Sequence, residues 1–202
     1  MILNNTINLL KNLSLIGGVN QKSNVYTPMY PMVNTSGSNI DYHSGIITTR
    51  DYNAYTYYYS NRRPFSTTDI SVRTSYSGSV GYINVVVGSG TTPVSPDDYA
   101  LESLISTVSM QSGTAIVNYI VDTDAKSITA KNNIKVAVKN TSSESITISE
   151  LGILHTVYTG SSTSNTASML VYREVLDTPV TIAAGEFSTF QINIEVTRSM
   201  GQ

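Results

Sequence analysis

The chain has 202 residues, with 12 Lys and Arg against 14 Asp and Glu, a formal net charge of −2. So weak a field gives no strong attraction for nucleic acid or an anionic membrane. The absence of Cys excludes disulfides, thiolate catalysis and Cys-based zinc sites together. Only 13% of residues are charged, against roughly 25% in ordinary soluble domains. Ser, Thr, Asn, Gly and the 14 Tyr must therefore cover much of the surface, as in a β-protein with extensive neutral contacts. The length suits one ordinary domain, or a sandwich plus an extension.

Met1-Ile2-Leu3-Asn4-Asn5 lacks a basic leader, and Lys11 interrupts the apolar stretch through Ile16. Nothing approaches the ~18 consecutive apolar residues of a membrane span, so neither a signal peptide nor a span is expected. The glycosylation-type sequons at Asn4, Asn12, Asn34 and Asn140 then read as chance products of an Asn-, Ser- and Thr-rich composition.

Residues 2–16 space Leu3, Ile7 and Leu10, then Leu9, Leu13 and Ile16, three and four apart. That spacing predicts a short amphipathic helix, capped at Asn5 or Thr6 and stopped by Gly17-Gly18. A helix this short needs a surface to lie on. It serves either as an anchor inserted into a neighbouring subunit or as a terminal helix packed on its own domain.

Residues 19–75 read as irregular, broken by Pro28, Pro31, Pro64 and the run Asn34-Thr35-Ser36-Gly37-Ser38-Asn39. Tyrosines concentrate here. In Tyr55-Thr56-Tyr57-Tyr58-Tyr59, Tyr55, Tyr57 and Tyr59 share one strand face and Tyr58 takes the other. A broad apolar ring with a polar tip suits a docking surface, so a subunit interface, a sugar-binding platform and a plain β-layer over the core all stand as readings. Arg62-Arg63 beside them is the only basic-aromatic cluster. Single-stranded nucleic acid would need a broader basic groove, and an interfacial arginine pair fits better.

From residue 78 the texture changes. Tyr82–Val87 is a strand closed by Gly88-Ser89-Gly90, whose glycines permit positive φ. Ser95-Pro96-Asp97-Asp98 predicts the start of a short helix leading to Leu101, Leu104 and Ile105. Strands follow over 114–121, 134–138, 146–148, 151–157, 169–175 and 187–196. Ile134, Val136 and Val138 oppose Lys135 and Lys139, while Phe190, Ile192, Ile194 and Val196 oppose Gln191, Asn193 and Glu195. This alternation predicts antiparallel sheets with one wet face. Turn residues fall between the runs at 122–124, 140–143, 177–179 and 185–186, with Pro179 beginning a strand and Gly185 turning the chain back. The expected architecture is all-β. An N-terminal extension (1–77) with its short helix precedes an antiparallel β-sandwich (78–202), jelly-roll-like or Ig-like.

Three segments, in order, resemble a β-sandwich of tailed-bacteriophage structural proteins. They are Val87 through Ser103, with Gly88-Ser89-Gly90 and Ser95-Pro96-Asp97-Asp98; Ile146-Thr147-Ile148-Ser149-Glu150-Leu151-Gly152-Ile153; and Leu170-Val171-Tyr172-Arg173-Glu174-Val175 through Ile182, running on to Gly185-Glu186. The likeness covers roughly the C-terminal 60% of the chain, a domain's worth of residues. It implies a virion component of head surface, neck or tail, assembled in the host bacterial cytoplasm. Its partners would be copies of itself, as a trimer or hexamer, and capsid or neck and tail proteins. Residues 1–75 carry no such likeness. Within the likeness, Glu150 and Arg173 are rare charges in neutral strands, and they are expected to pair across the sandwich edge.

Enzyme chemistry finds little support. His43 and His155 are far apart, and His155 sits inside a strand as a structural histidine would. No Gly-x-Ser-x-Gly elbow occurs. Asp97 and Asp98 read as helix-capping residues, and Asp122 and Asp124 as turn residues that leave calcium open, although no third and fourth oxygen ligand is evident nearby. No cofactor is expected. The leading expectation is a non-enzymatic capsid-decoration or head-fibre protein, with a neck or tail component next. Its interface would use Leu3, Ile7, Leu10, Tyr55, Tyr57, Tyr58, Tyr59, Arg62 and Arg63. The alternative from another class is a module recognising host-surface glycan through the same tyrosines.

Overall fold

The computed structural model describes residues 1–4, 33–38, 70–78, 82–122, 127–158 and 166–199. Among these, seven strands run in order: β1 (Ile70–Val72), β2 (Ile83–Gly88), β3 (Val108–Asp122), β4 (Ser127–Asn140), β5 (Ile146–Tyr158), β6 (Thr166–Ile182) and β7 (Phe187–Ser199). They form two mostly antiparallel sheets, β1-β2-β5-β6 and β3-β4-β7. The fold of the described residues is all-β.

The period-2 patterns explain the second sheet. Register aligns Gly113, Val136 and Phe190 across its three strands, then Ala115, Ile134 and Ile192. Except for the glycine, these side chains are buried, while Lys135 and Gln191 between them face out. They join Val85, Val87, Ile148, Leu151, Ile153, Met169 and Val171 of the other sheet in one apolar cluster. Each aliphatic side chain so covered contributes roughly 1.5–3 kcal/mol by leaving water. On the exposed face Lys131 meets Glu195 at 2.7 Å, and the Thr129 and Thr197 hydroxyls lie 2.9 Å apart.

β2 is buried along its whole length, Asn84 included, because both its faces are covered. Val86, from its second face, packs with Leu3, Leu101, Leu154 and Leu170 in a smaller cluster. Gly152 stays bare there, since a Cβ would come 2.9 Å from both Leu101 and Leu170.

Several expectations need correction. Ile70–Val72, inside the stretch read as irregular, pairs with β2 and does so in parallel. The 146–148 and 151–157 runs are one strand, β5. Pro179 does not begin a strand. It lies within β6, where Ile148 pairs with Val180 and Glu150 with Val175, so four residues of β6 oppose Ser149 alone. The proline is tolerated because it falls in this bulge on an edge strand, where a missing N–H breaks no ladder bond. Gly185, at φ 76°, makes the turn into β7 as expected. Residues 1–3 run extended along β6, and residues 5–16 of the expected helix lie outside the described residues.

The helix start at Ser95 is also replaced. Ser95-Pro96-Asp97-Asp98 forms a turn, with Asp98 N–H donating to Ser95 O at 3.1 Å and Ser95 N–H to the Asp98 carboxylate at 2.9 Å. Downstream N–H groups have other acceptors. Leu101 donates to the Tyr76 hydroxyl, and Glu102 and Ser103 donate to Glu150. With those donors engaged, no helical ladder follows. Instead Ser89 N–H donates to Ser103 O and Ile105 N–H to Val87 O, extending the pairing on β2 beyond the end of β1.

Candidate functional site

The described residues gather their buried charge around Arg173. Its strand, β6, places it opposite Gly152 of β5, two positions along from Glu150 and so on the same face. Arg173 Nε and Nη2 both lie 2.9 Å from Glu150 Oε2. Nη1 donates to Asp98 Oδ2 at 2.8 Å, and Glu102 Oε2 stands 3.9 Å from Nη2. Glu150 is fully buried and Arg173 nearly so. The pair read from the sequence is therefore formed, but between adjacent strands of one sheet and in the interior, not across an edge.

Burying such charges is costly unless their lone pairs and protons are engaged; Arg173 Nη2 makes the ion contacts without a hydrogen bond, and the other groups are bonded as follows. Glu150 Oε1 accepts Gly90 N–H at 3.1 Å and Ser103 N–H at 2.9 Å, while Oε2 accepts Glu102 N–H at 3.2 Å besides the guanidinium. Glu102 in turn accepts the N–H groups of Thr91 and Thr92, both at 2.8 Å. Those hydrogen bonds hold the Glu102 carboxyl below its usual pKa. For Arg173, burial pulls the pKa down, but the bonds to Asp98 and Glu150 outweigh it and leave it raised. The guanidinium stays charged and fastens residues 90–103 to the sheet.

Gly88 and Gly90 make the space for this cluster. A Cβ on Gly88 would sit 2.5 Å from both Glu150 Oε1 and Ser103 O, and one on Gly90 2.6 Å from Glu150 Oε1. Positive φ is not their role, correcting the sequence reading, since the positive-φ glycines of the described residues are Gly37 and Gly185. Close approach of a carboxylate to the backbone is what excludes a side chain here.

The N-terminal residues dock beside this cluster on the outer edge of β6. Ile2 bridges Tyr172 in antiparallel fashion; Leu3 N–H donates to Val171 O at 3.1 Å and Arg173 N–H to Met1 O at 3.1 Å. The Met1 nitrogen also donates to Arg173 O. Leu3 is completely buried in the smaller apolar cluster. Asn4 closes the arm, its N–H on Pro96 O at 2.9 Å and its amide on Asp97 Oδ1 at 2.8 Å. Farther along the same strand, Thr35 N–H reaches Ser168 O at 3.2 Å. Thr35 belongs to a turn organised by the Asn34 side chain, with Gly37 at φ 80°.

Of the residues singled out in the sequence, Leu3, Glu150 and Arg173 meet in this region. Ile7, Leu10, Tyr55, Tyr57, Tyr58, Tyr59, Arg62 and Arg63 lie outside the described residues, as do His43 and Asp124. His155 is on β5, where burial lowers its pKa to about 4. Asp98 and Glu102 were missed as partners of Arg173. Their spacing of four on a turn-rich segment was the available signal, and it reads equally well as ordinary solvated charge. The Asn140 sequon is not open to modification, because its amide is buried and donates to Glu144 O and Ile182 O. Among the described residues no group of three or more His, Asp or Glu side chains is placed to hold a metal ion. No helix among them is long and apolar enough to cross a membrane.

A second surface stands out on β3, an edge of the three-stranded sheet. Ile116, Ile120 and Val121 are 57%, 48% and 58% exposed, and Met110 on the same strand is 42% exposed. Among the described residues β3 pairs with β4 alone, and its apolar side chains present a greasy surface to another molecule.

No family model, curated protein or solved structure matches the chain.

Proposed function

We propose that this chain is a non-enzymatic structural component of a tailed-bacteriophage virion, carried on the head surface as a decoration or head-fibre protein. The two sheets are read as the facing layers of a β-sandwich, and residues 1–77 as the segment through which copies join. The observation that carries the reading is the exposed apolar edge on β3, set on a chain with few charges. Interface centres are depleted in charge, and Ile116, Ile120 and Val121 supply the apolar area that neighbouring copies or shell proteins would cover. Two of the few charges, Glu150 and Arg173, are buried against each other, and with Asp98 and Glu102 they fasten the 89–105 connection to the sheet.

Immunogold labelling of particles with an antibody to this chain tests the proposal. Label on the head supports it, and label at the neck or tail transfers the same structural role there. Absence from the particle rejects it. The tyrosines at 55–59 motivate the other reading, recognition of a host-surface glycan. Glycan-array binding that a Tyr57→Ala/Tyr59→Ala variant loses, with particle incorporation intact, would favour that reading instead.

A further inference from the structure

We propose that two copies of this chain join through β3, edge to edge and antiparallel, with Asn118 on the two-fold axis, so that two three-stranded sheets become one of six strands. The inference rests on the reading that the protein works as an array of copies, and it names a second copy as what covers the exposed side chains of β3.

Among the described residues four strands end the two sheets, and three of them carry features that resist pairing. Short length, proline, bulges and charged side chains keep sheet edges apart. β1 has only three residues. β6 holds Pro179 in its bulge and carries Arg173, Glu174 and Asp177. β7 carries Glu195 and Arg198. From Val108 to Val121, β3 has neither a charged residue nor a proline. Its one irregularity, between Met110 and Ser112, lies outside the stretch 114–122. Ile116 and Ile120 stand 57% and 48% exposed in that stretch, on the same outer face as Lys135.

The side-chain pattern selects the register. A two-fold axis normal to the sheet pairs residues of like parity, so the outer face of one copy continues into the outer face of the other. Centred on Asn118, it sets Ile116 opposite Ile120 of the second copy and Ile120 opposite the second copy's Ile116. Any other centre separates both pairs. Aliphatic side chains directly opposite each other are what stabilise adjoining strands. On the inner face Val121, 58% exposed, falls opposite Ala115 of the second copy. Charge agrees with this register. Thr114, which lies beside Lys135 of β4, meets Asp122 of the second copy. Lys135 and that aspartate then share one row about 10 Å apart, two strand spacings, and no like charges are set opposite each other.

The chain has no cysteine, so single thiols report the register cleanly. Asn118→Cys and Thr114→Cys are made in separate full-length chains; both positions are exposed and on one face. In the proposed pair Cys at 118 faces its own copy at disulfide distance, whereas Cys at 114 lies about 27 Å from its copy. Mild oxidation should link Asn118→Cys chains at least about tenfold faster than Thr114→Cys chains, and a mixture of Thr114→Cys with Asp122→Cys should link across chains. Sedimentation velocity of the wild type should show dimer growing with concentration. Equal rates at 118 and 114, or a wild type that stays monomeric at every concentration, overturns the proposal. So does a thiol at 118 that links in particles only to a different protein, which leaves the virion reading standing. Rapid linkage at 118 in a chain absent from particles sinks the virion reading and leaves the pairing.

Discussion

Arg173 places two of its nitrogens, Nε and Nη2, on a single oxygen of Glu150, and so leaves the other oxygen free for the N–H groups of Gly90 and Ser103. One carboxylate thereby ties β6 to the end of β2 and to the loop beyond it. The same guanidinium holds Asp98, so the cluster also pins the turn against which Asn4 docks.

Glu150→Gln removes the buried negative charge and turns an amide nitrogen toward the guanidinium or toward Gly90. Breaking a buried pair from one side typically costs about 3–5 kcal/mol. Retained hydrogen bonds place this variant at the lower end, about 3 kcal/mol. Urea unfolding followed by circular dichroism reads the loss, and an unchanged midpoint would show that the pair adds nothing.

Gly88→Ala and Gly185→Ala separate two reasons for a glycine. At Gly88 the added methyl meets a carboxylate oxygen and a backbone oxygen, both at 2.5 Å, so overpacking should cost about 1–3 kcal/mol and disturb the Arg173 cluster. At Gly185 nothing lies within 4 Å, and only the left-handed backbone resists, at roughly 1–2 kcal/mol. Combining each with Glu150→Ala discriminates them. The Gly88 penalty should shrink in that background, whereas the Gly185 penalty should persist.

His155 predicts an acid-side loss of stability. Its folded pKa is about 4, against an ordinary value of 6.5, because burial disfavours the imidazolium. As pH falls through 6.5 the unfolded chain takes up the proton before the folded chain does. The contribution is complete above that value, declines down to pH 4 and is then level; at 1.36 kcal/mol per unit it amounts to at most about 3 kcal/mol. Comparing unfolding midpoints of wild type and His155→Gln at pH 7 and pH 4.5 isolates it. The variant should lose less stability than wild type over that interval.

Ile116→Lys/Ile120→Lys places charge on the exposed face of β3. Both side chains are about half exposed, so folding stability should change by no more than about 1 kcal/mol for the two together. Self-association, or binding to assembled shells, should fall at least about tenfold if that face is covered in the particle. Sedimentation velocity with a parallel melting curve distinguishes lost association from lost folding.

Much of the strand pattern was legible before any coordinates. Ile134, Val136 and Val138, like Phe190, Ile192 and Ile194, announce a buried face because side-chain direction alternates with each residue of an extended chain, which is a local property. Gly185 announces its turn for the same reason. The Glu150–Arg173 pair was legible in outline, because a charge inside a neutral strand calls for a partner. Helical spacing at Ser95 was equally visible and misleading, since the N–H groups that would continue a helix are taken by Glu150 and the Tyr76 hydroxyl.

The amino-acid order alone determined which residues alternate, that Gly185 turns the chain and which charges cannot stand unpartnered, all consequences of covalent geometry over a few neighbouring positions. Tertiary structure decided that β1 runs parallel to β2, that Pro179 rests in a bulge, that Gly88 and Gly90 yield to a carboxylate, and that residues 1–3 line β6. Each of these joins segments distant in sequence, and such contacts are chosen by the competition among all surfaces and hydrogen-bonding groups for burial, which no short window of residues contains.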